Sequence, residues 1–531
     1  MSDPKVPAPG NGARDGAPAG SPTAEPGADM AALARGGRTN FLGFLMRLAA
    51  RLPFLFIAGR LYGADQLGRF ASALIVIEIC GQLATLGLKR GLAKELGEEV
   101  RADSHVVADG LLLSLLTSAV FAGLLFAFPE PMFPNGRNSD LDLWLPLAIV
   151  MLGMTEVMLA ALAYRYNIAA TVRSRSVVEP WTISIMAGVF WLIPATRDGG
   201  LALAYLTSVV AAALTALAPL VRDYGVPHGW RPEIVPLARI ARDNFPLAMA
   251  DAIEWGTRRL DIAILGLFVS PATVGIYYIA QQVASLPQKL KTSFEPILGP
   301  VIVRKLKDRD YAAIARQVCQ AGFWIVAAQA GIGLALGIPG EGVMGLVGPQ
   351  FVYGTGALAF LLLAEVVAAT AVVSEAALIY LARLRNLAIS ASTILLQAGL
   401  TVAIIAGFRA MGFNELFQAA GAAIALTLAL GFASLVKSRM LAGILGHGIN
   451  NFRWPLVWAV APAVAVGYAF TFVPEWMELA VGIPAILATY GYVIWKRGFG
   501  PEDRILFKSA KRVASAAEAG AEGLSPGESG R

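Results

Sequence analysis

Residues 245–291 read FPLAMADAIEWGTRRLDIAILGLFVSPATVGIYYIAQQVASLPQKLK. One apolar run, 245–268, ends before the helix-breaking pair Ser270-Pro271, and a second, 275–294, begins after it. Each is close to the ~20 residues a helix needs to cross a hydrocarbon core. Five charges interrupt the first run; besides Arg259 they are Asp251, Glu254, Arg258 and Asp261, and these four form a stripe. Their spacings of three, four and three put them within about 80° of one another on a helical wheel. A charge at the bilayer centre costs about 3 kcal/mol or more, so this stripe must face a cavity or a partner rather than lipid.

The pattern of apolar runs extends along the whole chain. Of 531 residues 56% are hydrophobic and 15% charged, against roughly 25% charged in soluble proteins; mean hydropathy is +0.62. Fourteen spans are predicted, the second at 69–88, the fifth at 177–195 and the seventh and eighth as quoted. The expected organisation is an all-α integral membrane protein with two pseudo-symmetric six-helix lobes and two C-terminal helices. Residues 1–38 form a Pro/Gly/Ala-rich tail, 39–221 the first lobe, 222–244 an amphipathic surface connection, 245–435 the second lobe, 436–495 the last two helices and 496–531 a polar tail.

Charge sorts by side. With the N-terminus inside, the inner segments hold 32 Lys and Arg and the outer loops only Arg137, Arg197 and Arg409. The positive-inside rule then predicts that both termini are cytoplasmic. The net charge of +6 is accounted for by that sorting and does not point to nucleic acid.

An internal repeat supports the two lobes. A shift of 207 positions pairs Arg51 with Arg258, Ile57 with Ile264, Gly59 with Gly266, Gly68 with Gly275, Val76 with Val283 and Thr85 with Thr292. Both copies start on the same side, as in transporters whose halves are related by an axis along the membrane normal.

The candidate site follows from the intramembrane charges. Arg47 and Arg51 share a face of the first span, and with Arg258, Arg259, Gln82 and Gln281 they are expected to line a cavity that binds an anionic substrate. Asp251, Glu254 and Asp261 tune or gate it; Arg258 is also at helical ion-pair spacing from Glu254 and Asp261. Glu78, Gln82, Thr85 and Lys89 form a polar stripe on the second span, where Glu78 either neutralises Arg47 or Arg51 or lines the same cavity as a gating or ion-coupling acid, and Gln281, Ser285 and Gln288 form another on the eighth. Glu156, Glu365 and Glu375 read as isolated acids able to carry protons or to hydrogen-bond within the bundle. Lys289 and Lys291 are placed to snorkel to headgroups. Cys80 and Cys319 read as inert small hydrophobes, Asp140-Leu141-Asp142 as a solvated turn. No histidine pair has metal-ligand spacing and no GxxxxGK[ST] segment occurs, so neither a metal site nor ATP hydrolysis is expected.

The stretch RRLDIAILGLFVSPATVGIYYIAQQVASLPQKLKTSFEPILGPVIVRKL (258–306), with RLYGADQLGRFASA (60–73), TLGLKRGLAKEL (85–96) and GLVGPQFVYGTGALAFLLLAEV (345–366), resembles the polysaccharide transporter family. These are the Wzx-type flippases of lipid-linked oligosaccharides in the multidrug/oligosaccharidyl-lipid/polysaccharide (MOP) exporter superfamily. The resemblance implies a V-shaped two-lobed bundle with a cationic cavity, alternately open to either side. It also implies an undecaprenyl-pyrophosphate-linked oligosaccharide as substrate, a place in the bacterial inner membrane, and cavity roles for Arg51 and Arg258. No cofactor is expected; a proton or sodium gradient is the expected source of coupling, and membrane lipids, a polysaccharide polymerase and export machinery are the expected partners. A cation-coupled multidrug exporter of the same superfamily, with the acids of the seventh span as its site, is the alternative within transport. A membrane polysaccharide polymerase or glycosyltransferase is the alternative outside it.

Overall fold

The computed structural model describes residues 52–98, 101–307 and 309–500, apart from the side chains at 288–301, 303, 304 and 307. Among these residues there are fourteen long helical segments and no strand. They are α1 (52–62), α2 (Gly63–Ala84), α3 (Asp103–Ala127), α4 (Leu147–Tyr164), α5 (168–192), α6 (Gly200–Tyr224) and α7 (Ile234–Leu265). Then follow α8 (Pro271–Lys307), α9 (Tyr311–Gly337), α10 (Thr355–Leu381), α11 (Arg383–Ala410), α12 (Glu415–Leu445), α13 (Pro455–Phe470) and α14 (Glu475–Gly498). Nine helical stretches among the described residues are long and apolar enough to cross a membrane by length and composition. The charges of α7 and the 16 residues of α13 keep those two out of that set.

Outward-facing side chains fit a lipid solvent. On α3, Leu116, Val120 and Leu124 are exposed while Ser114 and Ser118 are buried, the reverse of a helix in water. The same holds at the far end of the chain, where Trp458, Tyr468 and Tyr492 point away from the bundle. Helices α13 and α14 attach by burying Leu456, Ala459, Ile486 and Tyr490 against Phe323 and Ala327 of α9.

Connections are tight where the backbone allows it. Gly63, at φ +79°, turns α1 into α2, and the hairpin closes with the Phe54 and Phe70 rings 6.2 Å apart. Past α2, Leu86 and Gly87 take positive φ of 48° and 76° and redirect the chain into a short helix, Leu88–Gly97. Its Leu88, Leu92 and Leu96 are buried, one turn apart. Lys89 therefore lies on this separate helix, and the predicted second span ends early, at Ala84. The expected connection at 222–244 is also divided, because from Ile234 onward it is continuous with α7. There Ile234 and Val235 are exposed while Ile240 and Asn244 are buried. Of the predicted solvated turn, Asp140 is exposed, but Asp142 is buried and accepts from the Asn138 and Ser139 backbone amides at 3.3 and 3.2 Å, capping the turn.

At the end opposite the Lys/Arg-rich connections, residues paired by the 207-residue repeat meet. A Cβ on Gly68 would lie 1.7 Å from the Pro271 carbonyl oxygen, and one on Gly275 would lie 2.1 Å from that of Ala64. Helices α2 and α8 thus cross backbone to backbone. The neighbouring pair in the repeat is also treated alike: Gln350 donates to the Gly59 carbonyl at 3.2 Å, and Asn135 donates to that of Gly266 at 3.1 Å.

Candidate functional site

A cavity of about 580 Å³ opens among α1, α2 and α4 to α8. Its deep wall carries Phe54, Phe70, Tyr205 and Tyr278; its lining reaches Lys89, Ala163 and Thr171 at the Lys/Arg-rich end. Trp255 and Arg259 of α7 and Glu78 and Gln82 of α2 lie between. Aromatic faces and a few charges in a half-enclosed space suit a ligand with apolar and polar surfaces.

Six charged residues line the space: Lys89, Arg175 and Arg259 against Glu78, Glu156 and Glu179. The described wall is therefore balanced rather than cationic. Four of the six form one chain of contacts. Arg175 donates to Glu156 and, at 2.6 Å, to Glu179 one turn along its own helix, while Lys89 reaches Glu156 at 3.3 Å. Arg175 stands on the π-helical turn Val172–Val178, the kind of widened turn that recurs at functional sites. Glu156 is thus not isolated: two cations hold it. Arg259 differs, because its guanidinium donates to the neutral Gln281 Oε1 at 2.7 Å and has no carboxylate within ion-pair distance among the described residues. Glu78 likewise has no ion pair among them.

The stripe on α7 divides. Arg258 is half-exposed, lies outside the cavity lining and pairs with Glu254 at 3.3 Å. Asp261 does not pair with Arg258; it is fully buried and accepts from Tyr277 Oη at 2.7 Å and Gln281 Nε2 at 3.1 Å. Asp251 and Glu254 are both taken by Arg90 of the short helix, at 2.9 and 2.8 Å. Gln281 connects Arg259 to Asp261 and stands behind the wall, where Gln282 is on it. Glu375, on α10, lies outside the cavity lining and is not isolated either, since the buried Lys437 ammonium of α12 reaches it at 3.0 Å. Glu365, also on α10, is half-buried and outside the lining. Arg47 and Arg51 lie outside the described residues, as do the Gln288, Lys289 and Lys291 side chains.

Sequence reasoning missed Arg175, Glu179 and Arg90. The first two sit at helical i,i+4 spacing, but the apolar run of the fifth predicted span begins only at 177, past Arg175. Arg90 gave no local signal, because its partners are more than 160 residues away.

The family model for polysaccharide biosynthesis proteins matches residues 57–328, more than half of the chain. No curated protein matches it in sequence. Among solved structures, the lipid II flippase MurJ in an inward closed conformation is similar at a TM-score of 0.66 and 12% identity, over 86% of this chain and 99% of that one. The inward-facing conformation of a multidrug resistance MATE family transporter of the MOP superfamily gives 0.62 at 13% identity, over 76% and 94%. An outward-facing conformation gives 0.56 at 14%, over 78% and 95%. At such identities the likeness is one of fold, shared over nearly the full length of each transporter.

Proposed function

The chain belongs to the polysaccharide biosynthesis protein family, and on that premise we propose that it is a flippase for an undecaprenyl-pyrophosphate-linked oligosaccharide. It works by alternating access across a bacterial inner membrane, with the Lys/Arg-rich end in the cytoplasm. Translocation makes and breaks no covalent bond, so the chain supplies positioning alone. A proton or sodium gradient as driving force, and a polysaccharide polymerase with export machinery as partners, belong to the same proposal.

The observation that carries it is Arg259 on the cavity wall. A guanidinium bound among the described residues only to an amide, at 2.7 Å, keeps donors available for a phosphate, which matches its planar fork. Tyr278, Trp255 and Phe70 on the wall of the same cavity offer faces for sugar rings. The acids that drug export would require are already engaged: Asp251 and Glu254 by Arg90, Asp261 by Tyr277 and Gln281. That favours an anionic headgroup over a cationic drug.

Arg259→Glu is the test. Expressed in the native host, it should abolish surface polysaccharide while the protein still reaches the membrane. Normal polysaccharide, together with altered sensitivity to cationic dyes on deletion, would replace the flippase reading by drug export.

A further inference from the structure

We propose that Glu78 recognises a positively charged amine on the same headgroup whose phosphate Arg259 holds, so that the cavity selects a glycolipid with an unacetylated amino sugar. The inference rests on the lipid-linked reading above and narrows its substrate class.

Of the acids on the wall, Glu156 and Glu179 are consumed by Arg175 and Lys89. Glu78 and Arg259 are left, one acid and one base, without an ionic partner among the described residues. They also stand at one depth. Gly266, at the end of α7, packs on the Ser72 side chain of α2. From that contact Arg259 lies seven residues inward along α7 and Glu78 six residues inward along α2. At 1.5 Å per residue those are about 10 and about 9 Å.

The two charges therefore flank the cavity at the same level, on neighbouring helices. They do not reach each other, for no ion pair joins them within 4.0 Å. Two charges held apart inside a membrane protein, with no ionic partner among the described residues, carry a standing desolvation cost. A ligand with its own negative and positive group, spaced as they are, relieves both at once. A sugar 1-phosphate with a free amine has that form, and the ring between the two groups can lie on Trp255 or Tyr278. An N-acetylated sugar keeps the phosphate and the ring but has no ammonium, and leaves Glu78 desolvated and unmatched.

The experiment uses the full-length protein purified in detergent, with glucosamine 1-phosphate and N-acetylglucosamine 1-phosphate as probes and titration calorimetry as readout. Wild type should bind the free amine about tenfold more tightly than the acetylated sugar, as expected for one charge-assisted hydrogen bond. Glu78→Gln should erase that preference and Glu78→Asp should keep it, which separates loss of charge from loss of fold. Arg259→Gln should weaken both sugars. Equal binding by wild type, a preference that survives Glu78→Gln, equal weakening of both sugars by that variant, or no binding of either sugar would each overturn the role of Glu78. If Arg259→Gln still weakens both sugars while the preference is absent, the lipid-linked reading stands without the amine. If Arg259→Gln changes neither, that reading fails as well.

Discussion

Gly68 and Gly275, 207 positions apart, lie against each other: a Cβ on Gly68 would sit 2.8 Å from the Gly275 amide nitrogen, and one on Gly275 would sit 3.0 Å from that of Gly68. No side chain fits between α2 and α8 there, and a seal at the cavity's deep end is the expected consequence of this crossing. Gly68→Leu should hold the two helices apart. With Cys80 and Cys319 replaced by Ala and Leu74→Cys introduced on the cavity wall, a membrane-impermeant maleimide added from the sealed side should then label the protein. Unchanged labelling would mean that the crossing is not the seal.

Arg90 ties the short helix to α7 through Asp251, whose side chain is 5% exposed. Arg90→Ala leaves that carboxylate nearly buried and unpaired. Since Arg90 itself is half-exposed, the expected destabilisation is about 2 kcal/mol. Adding Asp251→Asn should restore most of it, because the stranded charge is then gone. Equilibrium unfolding of the purified protein in detergent measures both, and additive losses would mean that the pair is not coupled.

The fold was legible because membranes demand a signal that sequence carries openly: runs of about 20 apolar residues. The repeat was legible for a related reason, since close helix crossings tolerate only glycine, and Gly68 and Gly275 kept their register. The site was less so. Arg258 carried the repeat of Arg51, yet its neighbour Arg259 is on the wall, and one residue is a rotation of about 100°. Which side of α7 meets the cavity depends on its packing against α2 and the short helix. The short helix depends in turn on Leu86 and Gly87 at positive φ, and leucine gives no warning of that. Glu156 looked isolated because Arg175 and Lys89 come from other helices.

The two cations on Glu156 should not weigh equally. Arg175 is largely buried and holds two carboxylates, whereas Lys89 is 43% exposed and 3.3 Å away. Arg175→Met should therefore cost about 3–5 kcal/mol by stranding two acids in the bundle. Lys89→Met should cost less than about 1 kcal/mol. Thermal or denaturant unfolding in detergent distinguishes them, and equal losses would contradict the structure's division of labour.

Adjacent arginines on α7 provide the sharpest functional contrast. Arg258 is half-exposed and answered by Glu254 at 3.3 Å; Arg259 is on the cavity wall and, among the described residues, answered only by Gln281. If the cavity binds the anionic linkage, Arg259→Gln removes a charge-assisted contact in a confined space. Transport should then fall by about tenfold or more. Arg258→Gln removes an exposed i,i+4 pair of small energetic weight and should leave transport within about twofold of wild type. Flipping of a fluorescent lipid-linked pyrophosphate saccharide in proteoliposomes reads both variants side by side. The reverse order, with Arg258 the sensitive one, would put the binding surface on the other face of α7, as the repeat alone had suggested.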